Sequence, residues 1–175
     1  VIRLAAIVAV AGLALAAAAS AGPLDGYVAP DGRTAAQLIA AHVLPDPAKT
    51  PGVDNPAVTP GTIKSTICVS GWTATVRPST GYTDKLRDAD TPAGFKPLDG
   101  ELDHLRSIED GGHPSDPRNL WWMAYHDRYG ARVKDVLETR LKRLVCTGKI
   151  SLDDARAALA PNWLQGYAKY VGPLP

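Results

Sequence analysis

Residues 101–121 constrain the fold more than any other stretch. Glu101-Leu-Asp-His-Leu105 reads as a short strand, Gly111-Gly112 as a reversal, and Leu120-Trp-Trp122 as the apolar return. Glycine takes positive φ without steric penalty, so the pair lets the chain turn back. Ile108 and Leu120 are the candidate buried residues flanking that turn. The clearest helix follows. From Ala131 to Cys146, Val133, Leu137, Leu141, Leu144 and Val145 recur at helical spacing and form one apolar face. A hairpin feeding one such helix predicts a small single α+β domain.

Two further helices are expected at the C-terminus. Gly148 closes the long helix, and Ser151 with Asp154 forms a near capping box for Leu152–Leu159. Pro161 stops that helix, and another is expected over 162–171. Leu152, Ala155, Leu159, Trp163 and Tyr167 are read as core packing rather than as a base-stacking stripe. Upstream, Ser65–Arg77 is rich in β-branched residues and reads as extended, with Gly71 as a turn or bulge. Tyr82–Arg87 suits a short helix.

The chain divides into three parts. Residues 1–21 read as an export signal: Arg3, then an Ala-dominated apolar run from Leu4 to Ala19, then Ala19-Ser20-Ala21 as a small-x-small cleavage site. The run is shorter than the ~20 apolar residues a membrane span needs. Residues 22–61 are a Pro-rich segment with one short helix near Thr34–His42, capped by Asp31 or Thr34, and otherwise read as linker or surface wrap. Residues 62–175 are the expected functional domain. A secreted or cell-envelope protein without stable membrane insertion, acting as a monomer, is the expectation.

The formal net charge is +1 for the whole chain, and removing a signal that contains Arg3 brings it to about zero. Overall charge therefore gives no support to a polyanion partner. Locally, residues 128–149 carry seven cations against Asp135 and Glu138, a cluster that suits a polyanion. Glu138 and Lys142 also have the spacing of an ordinary surface ion pair. Cys68 and Cys146 are the only cysteines. In an exported chain they are expected to bridge, closing a loop of roughly 80 residues worth about 4 kcal/mol in the chain-entropy picture.

Asp103 and His104 set a carboxylate beside an imidazole, and Asn119 returns after the turn. These residue types suit phosphodiester hydrolysis. The carboxylate holds a divalent cation on the phosphate, the imidazole takes a proton from water, and the amide orients the imidazole. Asp103 is read as a strand-edge carboxylate that contributes little to the core.

The combination of Asp103-His-Leu, Gly111-Gly, Asp116-Pro-Arg-Asn-Leu-Trp and Lys134-Asp…Glu138…Leu141…Val145-Cys-Thr-Gly resembles small exported bacterial members of the HNH nucleases. Pro51-Gly-Val and Ile67-Cys-Val-Ser-Gly-Trp-Thr-Ala-Thr-Val-Arg belong to the same resemblance. The resemblance implies a ββα-metal site made from a hairpin and one helix, with His104 and Asn119 catalytic. It further implies Asp103 as a ligand of one divalent ion, magnesium or manganese, and a nucleic acid substrate, DNA favoured over RNA. Arg118, Arg132 and Lys134 are the candidate nucleic-acid contacts. The chain departs from the pattern in the helix, where Lys142 stands in place of a histidine and is a poor ligand while protonated. His126, Asp135 and Glu138 remain as candidates to complete the metal site. The alternative is a secreted binding module that keeps the HNH-like fold without catalysis. A thiol or serine nucleophile is disfavoured, because the cysteines are expected to bridge and no G-x-S-x-G elbow is present.

Overall fold

A computed structural model describes residues 22–175; the expected signal, residues 1–21, lies outside the described residues. Its centre is an antiparallel hairpin. β1 (Gly100–His104) pairs with β2 (Leu120–Ala124), with Gly100 opposite Ala124 and His104 opposite Leu120. A two-stranded ribbon is marginal in water, and here it is covered by α4 (Ala131–Cys146), which buries Leu137, Leu141, Leu144 and Val145. The hairpin and long helix match the sequence expectation, and together the elements form a small α+β domain.

The link from β1 to β2 is a built loop rather than a tight turn. It contains single helical turns at Ile108–Asp110 and Pro117–Asn119. Gly111 has φ 82°, the left-handed region. At Gly112 a Cβ would collide with the Arg106 backbone, so only glycine fits. Residues 52–55 brace this loop: Gly52 N–H donates to Arg118 O at 3.0 Å, Asn55 N–H to Gly111 O at 2.9 Å, and His113 N–H to Val53 O at 2.7 Å.

That bracing corrects the reading of 22–61, outside its one short helix, as linker or surface wrap. α1 (Ala35–Ala40), with Thr34 and Gln37 forming a capping box, buries Leu38 completely. Leu24, Ala29, Val43, Leu44 and Val58 join the same core as the helices. The indole of Trp163 donates to Val43 O at 2.8 Å, and Arg33 grips Asp127 through two bonds of 2.7 and 2.8 Å. Short apolar pieces between prolines give no periodic signal, yet each inserts a side chain.

A second correction concerns 65–77, which forms no strand. Ile67 is fully buried, Gly71 has φ 80°, and Trp72–Val76 makes a helical turn, α2. β-propensity reports fit to a pleated neighbour, and β1 and β2 are paired to each other. The segment is instead fixed by the expected Cys68–Cys146 disulfide, Cα atoms 5.5 Å apart, to the end of α4. α3 (Thr80–Asp90) extends the expected helix at both ends. α5 (Leu152–Leu159), with its Ser151–Asp154 capping box, and α6 (Trp163–Tyr170) pack as expected.

Candidate active site

The last two residues of β1 carry the expected carboxylate and imidazole, and both are buried. Asp103 lies 2.9 Å from the ammonium of Lys134, which also contacts Glu138 one turn along α4 and donates to His104 O at 2.7 Å. The Asp103 contact is ionic, since Asp103 Oδ2 has no partner in hydrogen-bond geometry. One cation on the helix thus holds the end of the strand.

Burial works against the Lys134 charge, but Asp103 and Glu138 more than offset it and hold its pKa above the usual lysine range. Burial also raises the Asp103 pKa; Lys134 opposes this, while Glu138 and Glu101 add to it. Both partners moving upward is consistent with one ammonium serving two or three carboxylates. Lys134 stays charged.

His104 places Nε2 2.9 Å from Pro114 O. A carbonyl only accepts, so Nε2 carries the proton and Nδ1 is the bare nitrogen. Nδ1 makes no hydrogen bond among the described residues and is not among the sealed, unpartnered atoms. Burial pushes the imidazole down to about 4, and the positive charge of Arg77 contributes. The ring is therefore neutral at neutral pH.

Asn119 does not touch that ring. Completely buried, it accepts from Arg106 N–H at 3.0 Å and Val53 N–H at 3.3 Å, and donates to Arg106 O and His113 O at 2.9 Å each. Every polar position of the amide is used. Its effect on His104 runs through the loop it fastens, whose Pro114 carbonyl orients the imidazole.

A cleft of about 240 Å³ adjoins this cluster, lined by Thr73, Arg77, Ser107, Glu109, Asp135, Glu138 and Thr139. Glu138 links it to the Lys134–Asp103 pair. A larger cleft, about 430 Å³ between residues 39–50 and β2, includes none of Asp103, His104, Lys134 and Glu138 and is mostly apolar.

Several expected site residues fall elsewhere. His126 is exposed two residues past Ala124, at the Gly100 end of the hairpin, so the register separates it from Asp103. Asp135 is exposed on the cleft wall, leaving Glu138 as the candidate nearest Asp103. Lys134 is 1% exposed and cannot reach a nucleic acid backbone. Arg118 is exposed but paired with Asp116 at 2.7 Å, and Arg132 lies over the Tyr125 ring. Lys142 pairs with Glu109 at 3.2 Å rather than with Glu138, and Arg140 donates to Tyr170 O. The cationic cluster of 128–149 is therefore largely engaged within the fold.

The sequence reading missed Asp110. It is fully buried with neither carboxylate oxygen hydrogen-bonded, and burial raises its pKa well above the usual range. Nothing in the pattern around the Gly-Gly turn signals that burial.

Among the described residues, no group of three or more His, Cys, Asp or Glu side chains could hold a metal ion. The two carboxylates sharing Lys134 make a smaller set. Magnesium is commonly held by one or two carboxylates together with waters and substrate phosphate. Asp103 and Glu138 are two carboxylates, and both are paired with the Lys134 ammonium. No helix among the described residues is long and apolar enough to cross a membrane. No family model, curated protein or solved structure matches the chain significantly.

Proposed function

We propose that this chain is an exported HNH-type endonuclease that hydrolyses phosphodiester bonds in nucleic acid with the help of one divalent cation. The observation that carries the reading is the placement of Asp103, His104 and Glu138 where β1 meets α4, with His104 neutral and its Nδ1 unengaged. Asp103 and Glu138 would hold magnesium or manganese, which would stabilise charge building on the phosphate. His104 Nδ1 accepts the proton of the attacking water, its ring held by the Pro114 carbonyl. Asn119 fixes the loop that presents that carbonyl, and Lys134 keeps the two carboxylates together before the cation arrives.

Cleavage of plasmid DNA and of RNA by the purified protein tests this reading, with and without chelator and with magnesium or manganese restored. Cation-dependent cutting that His104→Ala abolishes supports it. Calorimetric titration of magnesium into the protein and into Asp103→Asn tests the ligand assignment, and equal affinity in both removes Asp103 as a ligand. One observation favours the second reading, a secreted binding module with this fold: Lys134 already compensates both carboxylates. Nucleic acid binding with no cutting under any cation would establish it.

A further inference from the structure

We propose that Arg77 is the residue that anchors the scissile phosphate beside His104; the inference rests on the nuclease reading and assigns a positioning role within it. Among the described residues, Arg77 is the only cation lining the cleft, which otherwise presents the carboxylates of Glu109, Asp135 and Glu138 and the hydroxyls of Thr73, Ser107 and Thr139. A phosphate entering among those acids needs a compensating positive charge, and the wall offers this one. Elsewhere, Arg33, Arg87, Arg106, Arg118 and Arg156 are each engaged with an aspartate. Among the described residues, the Arg77 guanidinium has no ion pair within 4.0 Å and no side-chain hydrogen bond, although three carboxylates share its cleft. An exposed guanidinium left free in this way keeps its planar donor fork for a phosphate, which it binds through two parallel bonds.

The backbone explains how Arg77 comes to be there. The Cys68–Cys146 bridge ties the segment leading into α2 to the end of α4. α2 then ends at Arg77, whose backbone is extended (ψ 132°) ahead of Pro78, which disfavours helical geometry in the residue before it. The disulfide and the proline together place one arginine across the cleft from α4.

The test separates binding from chemistry. His104→Ala, His104→Ala/Arg77→Ala and His104→Ala/Arg77→Lys are titrated with a short labelled DNA duplex at several salt concentrations in magnesium buffer. Loss of Arg77 should weaken binding roughly 10- to 100-fold and reduce the magnitude of the salt slope by about 1. Lysine should keep the slope while recovering only part of the affinity, because it supplies charge without the fork. A purely structural residue would leave the slope unchanged. If the His104→Ala parent binds and the Arg77 variants match it in affinity and slope, the anchor is overturned and the nuclease reading stands. A parent that binds no nucleic acid overturns both.

Discussion

The ammonium of Lys134 donates to the main-chain carbonyl of His104 at 2.7 Å and lies 2.9 Å from the Asp103 carboxylate, so one helical side chain fixes two consecutive residues of β1. Lys134→Met keeps the length and removes the charge, leaving buried carboxylates uncompensated. Breaking a buried pair from one side costs about 3–5 kcal/mol, so the melting temperature should fall sharply at neutral pH. Without the cation the Asp103 pKa rises further. The deficit should therefore grow as pH increases through it and shrink in acid. A neutral-pH melting curve superimposable on the parent's would show that the pair is not structural.

The same contact revises the expectation for Asp103. A buried carboxylate facing a buried ammonium is not a dispensable strand-edge group, so Asp103→Ala should itself destabilise the fold by several kcal/mol, on the order of the Lys134 variant. Denaturant unfolding of the two variants and their combination forms a double-mutant cycle, with the double expected to cost less than the sum. Strict additivity would mean that the two side chains do not interact.

Asn119 yields a prediction about loop order. Asn119→Asp sets a carboxylate oxygen against the Arg106 and His113 carbonyls that now accept from the amide. Unsatisfied buried groups cost about 1–3 kcal/mol each, so a loss of about 3 kcal/mol or more is expected in urea unfolding. Hydrogen exchange should rise first at Gly112 and His113, in the loop that the lost amide donors fasten. Protection unchanged at both would contradict the assigned role.

The hairpin, α4 and its successors were legible because each carries a turn, a period or a cap: the Gly111-Gly112 reversal after β1, the Val133–Val145 stripe, the Ser151–Asp154 box. Asp103 and His104 were legible as a pair, and Cys68–Cys146 as a bridge. What escaped was set by tertiary contacts. Lys134 has the sequence signature of a solvated helix cation, and only the packing of α4 on β1 makes it an interior one. His126 looked close to Asn119 in sequence, but the strand register carries it to the opposite end. The Pro-rich segment has no periodicity to read, since its side chains enter the core from turns.

That last point has its own test. Leu38 sits on the short helix of the Pro-rich segment and is completely buried. A residue on a linker would tolerate truncation. Leu→Ala at a closed core site costs about 2–5 kcal/mol, and that loss is expected for Leu38→Ala in denaturant unfolding. A change within error would return residues 22–61 to the status of a wrap.

His104 gives the pH prediction. Its pKa falls from an ordinary 6.5 to about 4 in the fold, so between those values the unfolded chain binds a proton that the native chain does not. Stability should therefore decline as pH drops from about 6.5 towards about 4, and this contribution should level off below. At 1.36 kcal/mol per pKa unit the full effect is about 3 kcal/mol. His104→Gln should flatten that part of the stability profile. Activity follows the same proton. A neutral base persists well below pH 6.5, so the acid limb of kcat/KM should lie lower than a solvated histidine would place it. Replacing His104 should cost about 10²–10⁴ in rate. An acid limb that stays in place when His104 is replaced would take the base away from the end of β1.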